Sequence, residues 1–314
     1  MGVKLLPIKT IKKYSHFVSD IVTIDKVVNS KRYGLMMADS ITFAPRLYCP
    51  AHILYYMSKL ASDEEFFDFS DYGRPLAKLF VNQLKFTRVT PIHVTLLFGI
   101  CGLIAIYCIL MGWYFFAGIF LVLKSVIDAA DGELARVKNT PSYTGRYLDR
   151  IFDILLNFLF LMAICYVSNT TFLTTLLAFI GIQLQGTLYN YYYVILRNKS
   201  AGGDATSKIF EYKSPRAFSG ESQQSVNVLF TIYSFLYGGF DKIIHFLDKG
   251  AYKVKTFPNW FMTLVSFYGL GFQLLSIAFM LQLGWIEYII PFFIFYTLFV
   301  FVLIGIRKFF LPNN

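Results

Sequence analysis

Residues 125–153 read SVIDAADGELARVKNTPSYTGRYLDRIFD, and they join the end of one long apolar stretch to the start of the next. A charged side chain at membrane depth costs about 2.5–3.5 kcal/mol or more, so Asp128, Asp131, Asp149 and Asp153 are expected to face a protein cavity and a partner. On a helix, Asp128 and Asp131 stand at i and i+3 and share a stripe with Gly132, Ala135 and Arg136. Gly145, Asp149 and Asp153, at i, i+4 and i+8, form a stripe on the helix that follows. A turn at Asn139-Thr140-Pro141-Ser142 would fold the two helices antiparallel and bring the carboxylates together. Arg136 and Arg150 supply too little counter-charge for such a cluster, which argues for divalent metal. All-oxygen ligation suits Mg²⁺ or Mn²⁺, and carboxylates shared by two helices suit a pair of ions about 4 Å apart that clamps a phosphate. Gly132, Ala135 and Gly145 leave the helix surfaces bare enough for a flat base and sugar to approach the backbone. A single Asp at a helix end would be read as a salt bridge to Arg136, Lys138, Arg146 or Arg150, but the spacing of all four favours the metal reading.

The rest of the chain explains why those aspartates are unexpected. Its 314 residues are 56% hydrophobic and 15% charged, and the low charge points to lipid. Runs approaching the ~20 residues that cross a bilayer recur after about residue 93, so the expected class is all-α and integral to the membrane. We place six spans at about 93–111, 114–138, 145–167, 171–196, 258–282 and 285–306. Ahead of them, Arg74–Arg88 alternates Leu76, Leu79, Phe80 and Leu84 with Lys78, Lys85 and Arg88 at helical spacing after a Pro, the pattern of an amphipathic helix lying on the membrane.

The net charge of +10 sits beside the apolar runs, in KTIKKY, RNKS, KSPR, YKVK and RKFF, which is topology rather than a nucleic-acid surface. The presumed outer connections, near Gly112, Ser168-Asn169-Thr170 and Gly284, hold no Lys or Arg, so both termini are expected in the cytosol. The first twenty residues lack an apolar secretory core, and residues 1–73 form a cytosolic segment to which no chemistry is assigned. Cys101, Cys108 and Cys165 lie in apolar runs and Cys49 stands apart, without a C-x-x-C spacing, so all four are read as packing residues.

Residues 199–255 separate the fourth and fifth spans. Their first half is a Gly- and Ser-rich cytosolic loop in which Lys208, Lys213 and Arg216 could attract a phosphate, although positive-inside topology explains them as well. In the second half Gly238-Gly239 and Asp241 interrupt an apolar run, which we read as an interfacial or re-entrant elbow instead of a seventh span.

The pattern D-x2-D-G-x2-A-R-x8-G-x3-D-x3-D, filled by Asp128, Asp131, Gly132, Ala135, Arg136, Gly145, Asp149 and Asp153, resembles the signature of the CDP-alcohol phosphotransferases without a departure. The resemblance extends more loosely over about residues 74–307. It implies a cytosol-facing site in which Asp128, Asp131 and Asp149 bind metal, while Asp153 completes the metal site or acts as base on the acceptor hydroxyl. Gly132, Ala135, Arg136 and Gly145 would contact the CMP part of a CDP-linked donor. The implied partners are that donor and an alcohol acceptor, at least one of them a lipid, with a homodimer as the assembly.

The first span departs from the family, with Thr90-Pro91-Ile92-His93 where members often have Thr-Pro-Asn. His93 is read as an interfacial residue. Glu133 resembles members that handle CDP-inositol and inositol phosphate more than typical choline or ethanolamine members. Gln183, Gln185 and Asn190 either line the acceptor pocket or bond neighbouring spans, and the tyrosines at 189 and 191–193 are read as an interfacial belt. The rival function is a transporter or channel, since carboxylates in a bundle also mark ion paths, although broken helices and paired halves are not evident.

Overall fold

A computed structural model describes residues 66–199, 211–254 and 256–311, and among these the regular structure is entirely helical. Of the predicted N-terminal segment 1–73, residues 1–65 lie outside the described residues, as do Cys49 and the loop lysine Lys208. Among the described residues nine α-helices follow in order: α1 Arg74–Leu84, α2 Pro91–Leu110, α3 Tyr114–Lys138, α4 Tyr143–Ser168, α5 Phe172–Lys199, α6 Gln223–Leu247, α7 Asn259–Ser266, α8 Leu270–Gln282 and α9 Ile286–Phe310.

The helix ends follow local chemistry. At the start of α2, Thr90 caps the helix and His93 Nδ1 accepts the Thr90 N–H at 3.0 Å, so His93 closes a capping box. Pro91 occupies the first turn, where its missing N–H costs nothing. Asn139, in the left-handed region at φ 53°, ends α3, and the N–H of Thr140 reaches back to the Ala135 carbonyl at 3.0 Å. Ser142 then caps α4 by accepting the Gly145 N–H at 2.8 Å. The expected antiparallel turn between the two aspartate helices is thus built from Asn139 and Ser142.

α3 is the centre of the packing, set between α2 and α8 and covered near its far end by α1. α4 packs against α2, α5, α6 and α9, and α5 lies along α9. The main core joins Val94, Phe98, Leu121, Leu134, Phe160 and Phe293, all at most 2% exposed. Cys101, Cys108 and Cys165 are buried free thiols, as expected.

Among the described residues four helices, α2, α4, α5 and α9, are long and apolar enough to cross a membrane, and the α7–α8 pair makes a fifth if its 47° bend belongs to one span. α3, expected as a span, carries Lys124, Asp128 and Asp131 along its length and is not apolar enough to qualify by composition alone. Large apolar side chains face outward on the spans: Ile100 and Leu103 on α2, and Phe295, Leu298 and Phe301 on α9, each more than half exposed. On α1, Ala77 and Val81 are fully buried, whereas Leu76 and Leu79 remain 58% and 64% exposed.

Three expectations are corrected. The stretch expected as one helix over 258–282 is broken at Phe267–Gly269, because a turn of 3-10 helix at Phe69–Asp71 is inserted there. Ser70 Oγ accepts the Gly271 N–H at 3.1 Å, Ser266 Oγ accepts the Phe69 N–H at 3.0 Å, and Phe69 stacks on Phe267 with ring centroids 4.3 Å apart. A Cβ at Gly271 would collide with the Ser70 carbonyl, so this close approach requires glycine.

The expected interruption at Gly238-Gly239 is also absent: α6 runs unbroken from Gln223 to Leu247. Two glycines cost about 2 kcal/mol of helix propensity, but Tyr233, Tyr237 and Ile244 anchor α6 against the body of the protein. α6 is not among the helices apolar enough to span a membrane. Finally, the tyrosines of α5 are not a surface belt. Tyr191, Tyr192 and Tyr193 are buried, the Tyr192 hydroxyl donates to Asp248 Oδ2 at 2.7 Å, and the Tyr189 hydroxyl donates to Asp68 Oδ2 at 2.7 Å. Buried phenols need such partners, and Asp248 in turn pairs with Arg307.

Candidate active site

The two aspartate stripes meet as the spacing requires. One carboxylate oxygen from each of Asp128, Asp131 and Asp149 can be chosen so that all lie within 4.8 Å of one another. These oxygens open on a cavity of about 250 Å³ whose walls come from α3, α4, α5, α6, α8 and the turn at Ser70-Asp71. Asp153 lines the same cavity. Its Oδ1, however, accepts a hydrogen bond from Lys124 Nζ at 2.5 Å, a partner the sequence reading missed.

Lys124 lies one turn before Asp128 on α3, 1% exposed, with its ammonium 4.6 Å from the centre of the Phe98 ring and 3.5 Å from Asp128 Oδ2. The signal was present in the sequence as a Lys at i−4 from Asp128, within an otherwise apolar stretch. Thr95 was missed as well. Its hydroxyl donates to Asp131 Oδ2 at 2.8 Å and so fixes that carboxylate from α2.

Several buried polar atoms facing this region have no protein partner among the described residues: Asp149 Oδ1, Gln183 Nε2 and Thr187 Oγ1. Asp149, Gln183 and Thr187 all line the cavity, and Gln183 and Thr187 are each 4% exposed. Leaving such groups unpaired costs about 1–3 kcal/mol each, and water or a polar ligand in the cavity could supply the missing partners. The carboxylate donor set and the orphaned Asp149 oxygen fit a hard divalent cation such as Mg²⁺ or Mn²⁺.

The remaining site candidates divide. Gly132 lines the cavity, whereas Ala135, Arg136 and Gly145 do not and occupy the helix ends beside the connecting turn. Arg136 is engaged with Glu133 at 2.5 Å, and its Nε is buried without a partner among the described residues. Glu133 is fully buried and also faces Arg74 at 3.8 Å. Gln183 and Asn190 line the cavity, and Asn190 Oδ1 accepts from Arg150 at 2.9 Å. Gln185 instead binds neighbouring helices, donating to Thr297 at 2.9 Å and accepting from Gln273 at 3.1 Å. His93 caps α2 and does not line the cavity.

α6 contributes Tyr233 and Tyr237, which the sequence reading passed over, and Asp241, which it read only as a break in the apolar run. Tyr233, Tyr237 and Asp241, spaced i, i+4 and i+8, all line the cavity. Burial pushes the Asp241 carboxyl up to about 6, against the opposing pull of Arg150 and the Tyr233 hydroxyl. The loop before α6 is tied to the start of α4: Glu221 accepts from Thr144 N–H and the Ser142 hydroxyl, each at 2.8 Å, and Glu211 accepts from Arg146 at 2.6 Å. Lys213 and Arg216 are exposed and do not line the cavity.

The helical bundle has apolar outer faces, an internal polar cavity and a cradle of three carboxylates that could hold a metal ion. Residues 88–217 match the family model of the CDP-alcohol phosphatidyltransferases. The chain is also similar to the bifunctional IPC transferase and DIPP synthase of Thermococcus kodakarensis, with 33% identity over 104 residues. That match covers 32% of this chain and 24% of the relative, so the chain aligns with about a quarter of that protein's length.

Proposed function

We propose that the chain is a multi-pass membrane enzyme that transfers a phospho-alcohol group from a CDP-linked donor to an acceptor alcohol and releases CMP, within phospholipid synthesis. The observation that carries this reading is the convergence of Asp128, Asp131 and Asp149 on one cavity inside the family segment. A bound divalent ion would neutralise the donor's pyrophosphate and the leaving CMP. Asp128, Asp131 and Asp149 would hold it, with Thr95 orienting Asp131.

The acceptor oxygen attacks the phosphorus that bears the donor's alcohol, and the bridging P–O bond to CMP breaks. The hydroxyl proton passes to Asp153, a cavity carboxylate outside the three-oxygen cluster on the same helix as Asp149. Gln183, Thr187 and Asn190 offer hydrogen bonds to a polar acceptor, supported by the unpartnered Gln183 and Thr187 atoms. Gly132, Ala135, Arg136 and Gly145 are assigned to the CMP part by resemblance, and Gly132 is the one that lines the cavity.

In this reading six spans include α3, whose charges turn inward, with α1 on the membrane surface through Leu76 and Leu79, both termini and the site in the cytosol, and the chain paired as a homodimer. CMP release by the purified chain in Mg²⁺ or Mn²⁺ tests the proposal, and full transfer activity in excess chelator would sink the metal requirement.

A further inference from the structure

We propose that Asp241, held by Tyr233 beside Tyr237, makes the cavity-facing side of α6 a recognition site for an uncharged polyol as acceptor, and that its carboxylate turns phosphorylated polyols away. This rests on the phosphotransfer reading above and names the acceptor class which that reading leaves open.

The argument begins with where α6 lies. α4 and α5 run antiparallel, since Arg150 meets Asn190 and Phe158 meets Phe179, so the start of α4 and the end of α5 share one side of the bundle. The beginning of α6 packs on that side, with Val226 fully buried against Tyr143 and Tyr147. Its end is fastened there too, because Asp248, the C-cap of α6, accepts from Tyr192 of α5 and from Arg307 of α9, each at 2.7 Å. α6 therefore crosses that side of the bundle, and it turns Tyr233, Tyr237 and Asp241 to the cavity. It lies beyond residues 88–217, so the family resemblance assigns it no role.

Hydrogen-bond chemistry selects the ligand. The Tyr233 hydroxyl donates to Asp241 Oδ2 at 3.5 Å, the Tyr237 hydroxyl donates to the Arg150 carbonyl at 3.2 Å, and the two rings stack with centroids 5.4 Å apart. These contacts fix a carboxylate that, when ionised, can only accept. On α5, Gln183 Nε2 can only donate, and it is buried on the same cavity without a protein partner among the described residues. A hydroxyl both donates and accepts, so a molecule with several of them can serve Asp241 and Gln183 together. An ammonium can serve Asp241 but offers nothing to the Gln183 amide nitrogen. Charge argues against the phosphate ester. Asp241 stands outside the three-carboxylate cluster, and the cation on the cavity wall among the described residues, Arg150, is engaged with Asn190 Oδ1 at 2.9 Å. A phosphate beside Asp241 would meet a like charge with that guanidinium already committed.

Acceptor kinetics test the assignment. The detergent-purified full chain is given CDP-diacylglycerol, CDP-inositol or CDP-ethanolamine as donor, and CMP release is followed with glycerol, myo-inositol, their monophosphate esters, ethanolamine or diacylglycerol as acceptor. The expected result is a kcat/KM for a free polyol about tenfold or more above that for its phosphate ester and for ethanolamine. Asp241→Asn keeps the shape and removes the charge, so it should raise KM for the polyol about 10–100-fold while KM for the donor stays within about threefold. The same variant should narrow the gap between polyol and phosphate ester. A wild type that uses a phosphate ester, ethanolamine or diacylglycerol best would overturn the proposal, as would an unchanged polyol KM or an equal rise in donor KM in folded Asp241→Asn. The wild-type preference decides alone if Asp241→Asn does not fold. Absence of CMP release from every donor with every acceptor would instead overturn the phosphotransfer reading beneath it.

Discussion

Replacing Thr95 by Val isolates the support that α2 gives to the metal cradle. Thr95 is 2% exposed, and its one hydroxyl proton can go to Asp131 Oδ2 at 2.8 Å or to the Pro91 carbonyl at 3.2 Å. The shorter, charged acceptor wins. Valine keeps the shape and removes the donor. A hydrogen bond to a charged group contributes about 1.5–3 kcal/mol, equal to roughly 10–150-fold in an equilibrium constant at about 1.4 kcal/mol per factor of ten. Loss of a partner that orients a metal ligand has the same scale, about 10–100-fold in metal affinity. We therefore expect the Mn²⁺ concentration for half-maximal CMP release to rise about 10–100-fold, with activity recovered at saturating Mn²⁺. The assay is a Mn²⁺ titration of CMP release, paired with direct Mn²⁺ binding on the same preparation. An unchanged Mn²⁺ requirement in a folded Thr95→Val protein would refute the idea that Asp131 is a ligand held in place by Thr95.

Asp153→Asn should bind CDP-linked donor with metal and yet lose about 10²–10⁴-fold in CMP release, the usual contribution of a general base; equal loss of donor binding would make Asp153 a ligand. Gly271→Ala should drive a methyl group into the Ser70 carbonyl and cost about 1–3 kcal/mol, read as a lower midpoint of thermal unfolding in detergent. An unchanged midpoint would mean that the Phe69–Asp71 turn is not locked into the α7–α8 break. Glu221 supplies a pH prediction: burial raises its carboxyl, but the Thr144 N–H and Ser142 hydroxyl outweigh this and hold it below the ordinary range. Because the folded value is depressed, the stabilisation is present above the unfolded value of about 4.3 and is lost as pH falls through the folded value. Hydrogen exchange at Tyr143 and Thr144 should therefore speed up below about pH 4 beyond the trend of other helix starts, and Glu221→Gln should abolish that pH step.

The parts of the site that were legible in the sequence are those fixed by helical periodicity. Asp128, Asp131 and Asp149 meet because i, i+3 and i, i+4 spacings put them on facing stripes, and Asn139 and Ser142 supplied recognisable end signals for the turn between them. What was not legible depends on contacts far apart in the chain. Nothing local to Thr95 or Lys124 says that one will meet Asp131 and the other Asp153, since each pairing spans about thirty residues and crosses between helices. The break between α7 and α8 escaped for the same reason, because its cause is a turn about 200 residues away at Ser70. Gly238-Gly239 misled in the other direction: local glycine propensity predicted an interruption, and packing along α6 overrode it. His93 and the tyrosines of α5 were judged by residue type at a presumed interface, and both proved to have specific partners.

The central claim is the release of CMP from a CDP-linked donor at the Asp128–Asp131–Asp149 cradle. It is tested most directly by incubating the purified, reconstituted chain with labelled CDP-linked donors and a panel of alcohols, and counting labelled CMP against new phosphodiester. The account predicts equal amounts of both for at least one donor and acceptor pair, dependent on Mg²⁺ or Mn²⁺ and abolished in Asp131→Asn. Metal or solute flux through the same proteoliposomes, with no CMP released from any donor, would contradict it and favour a transporter.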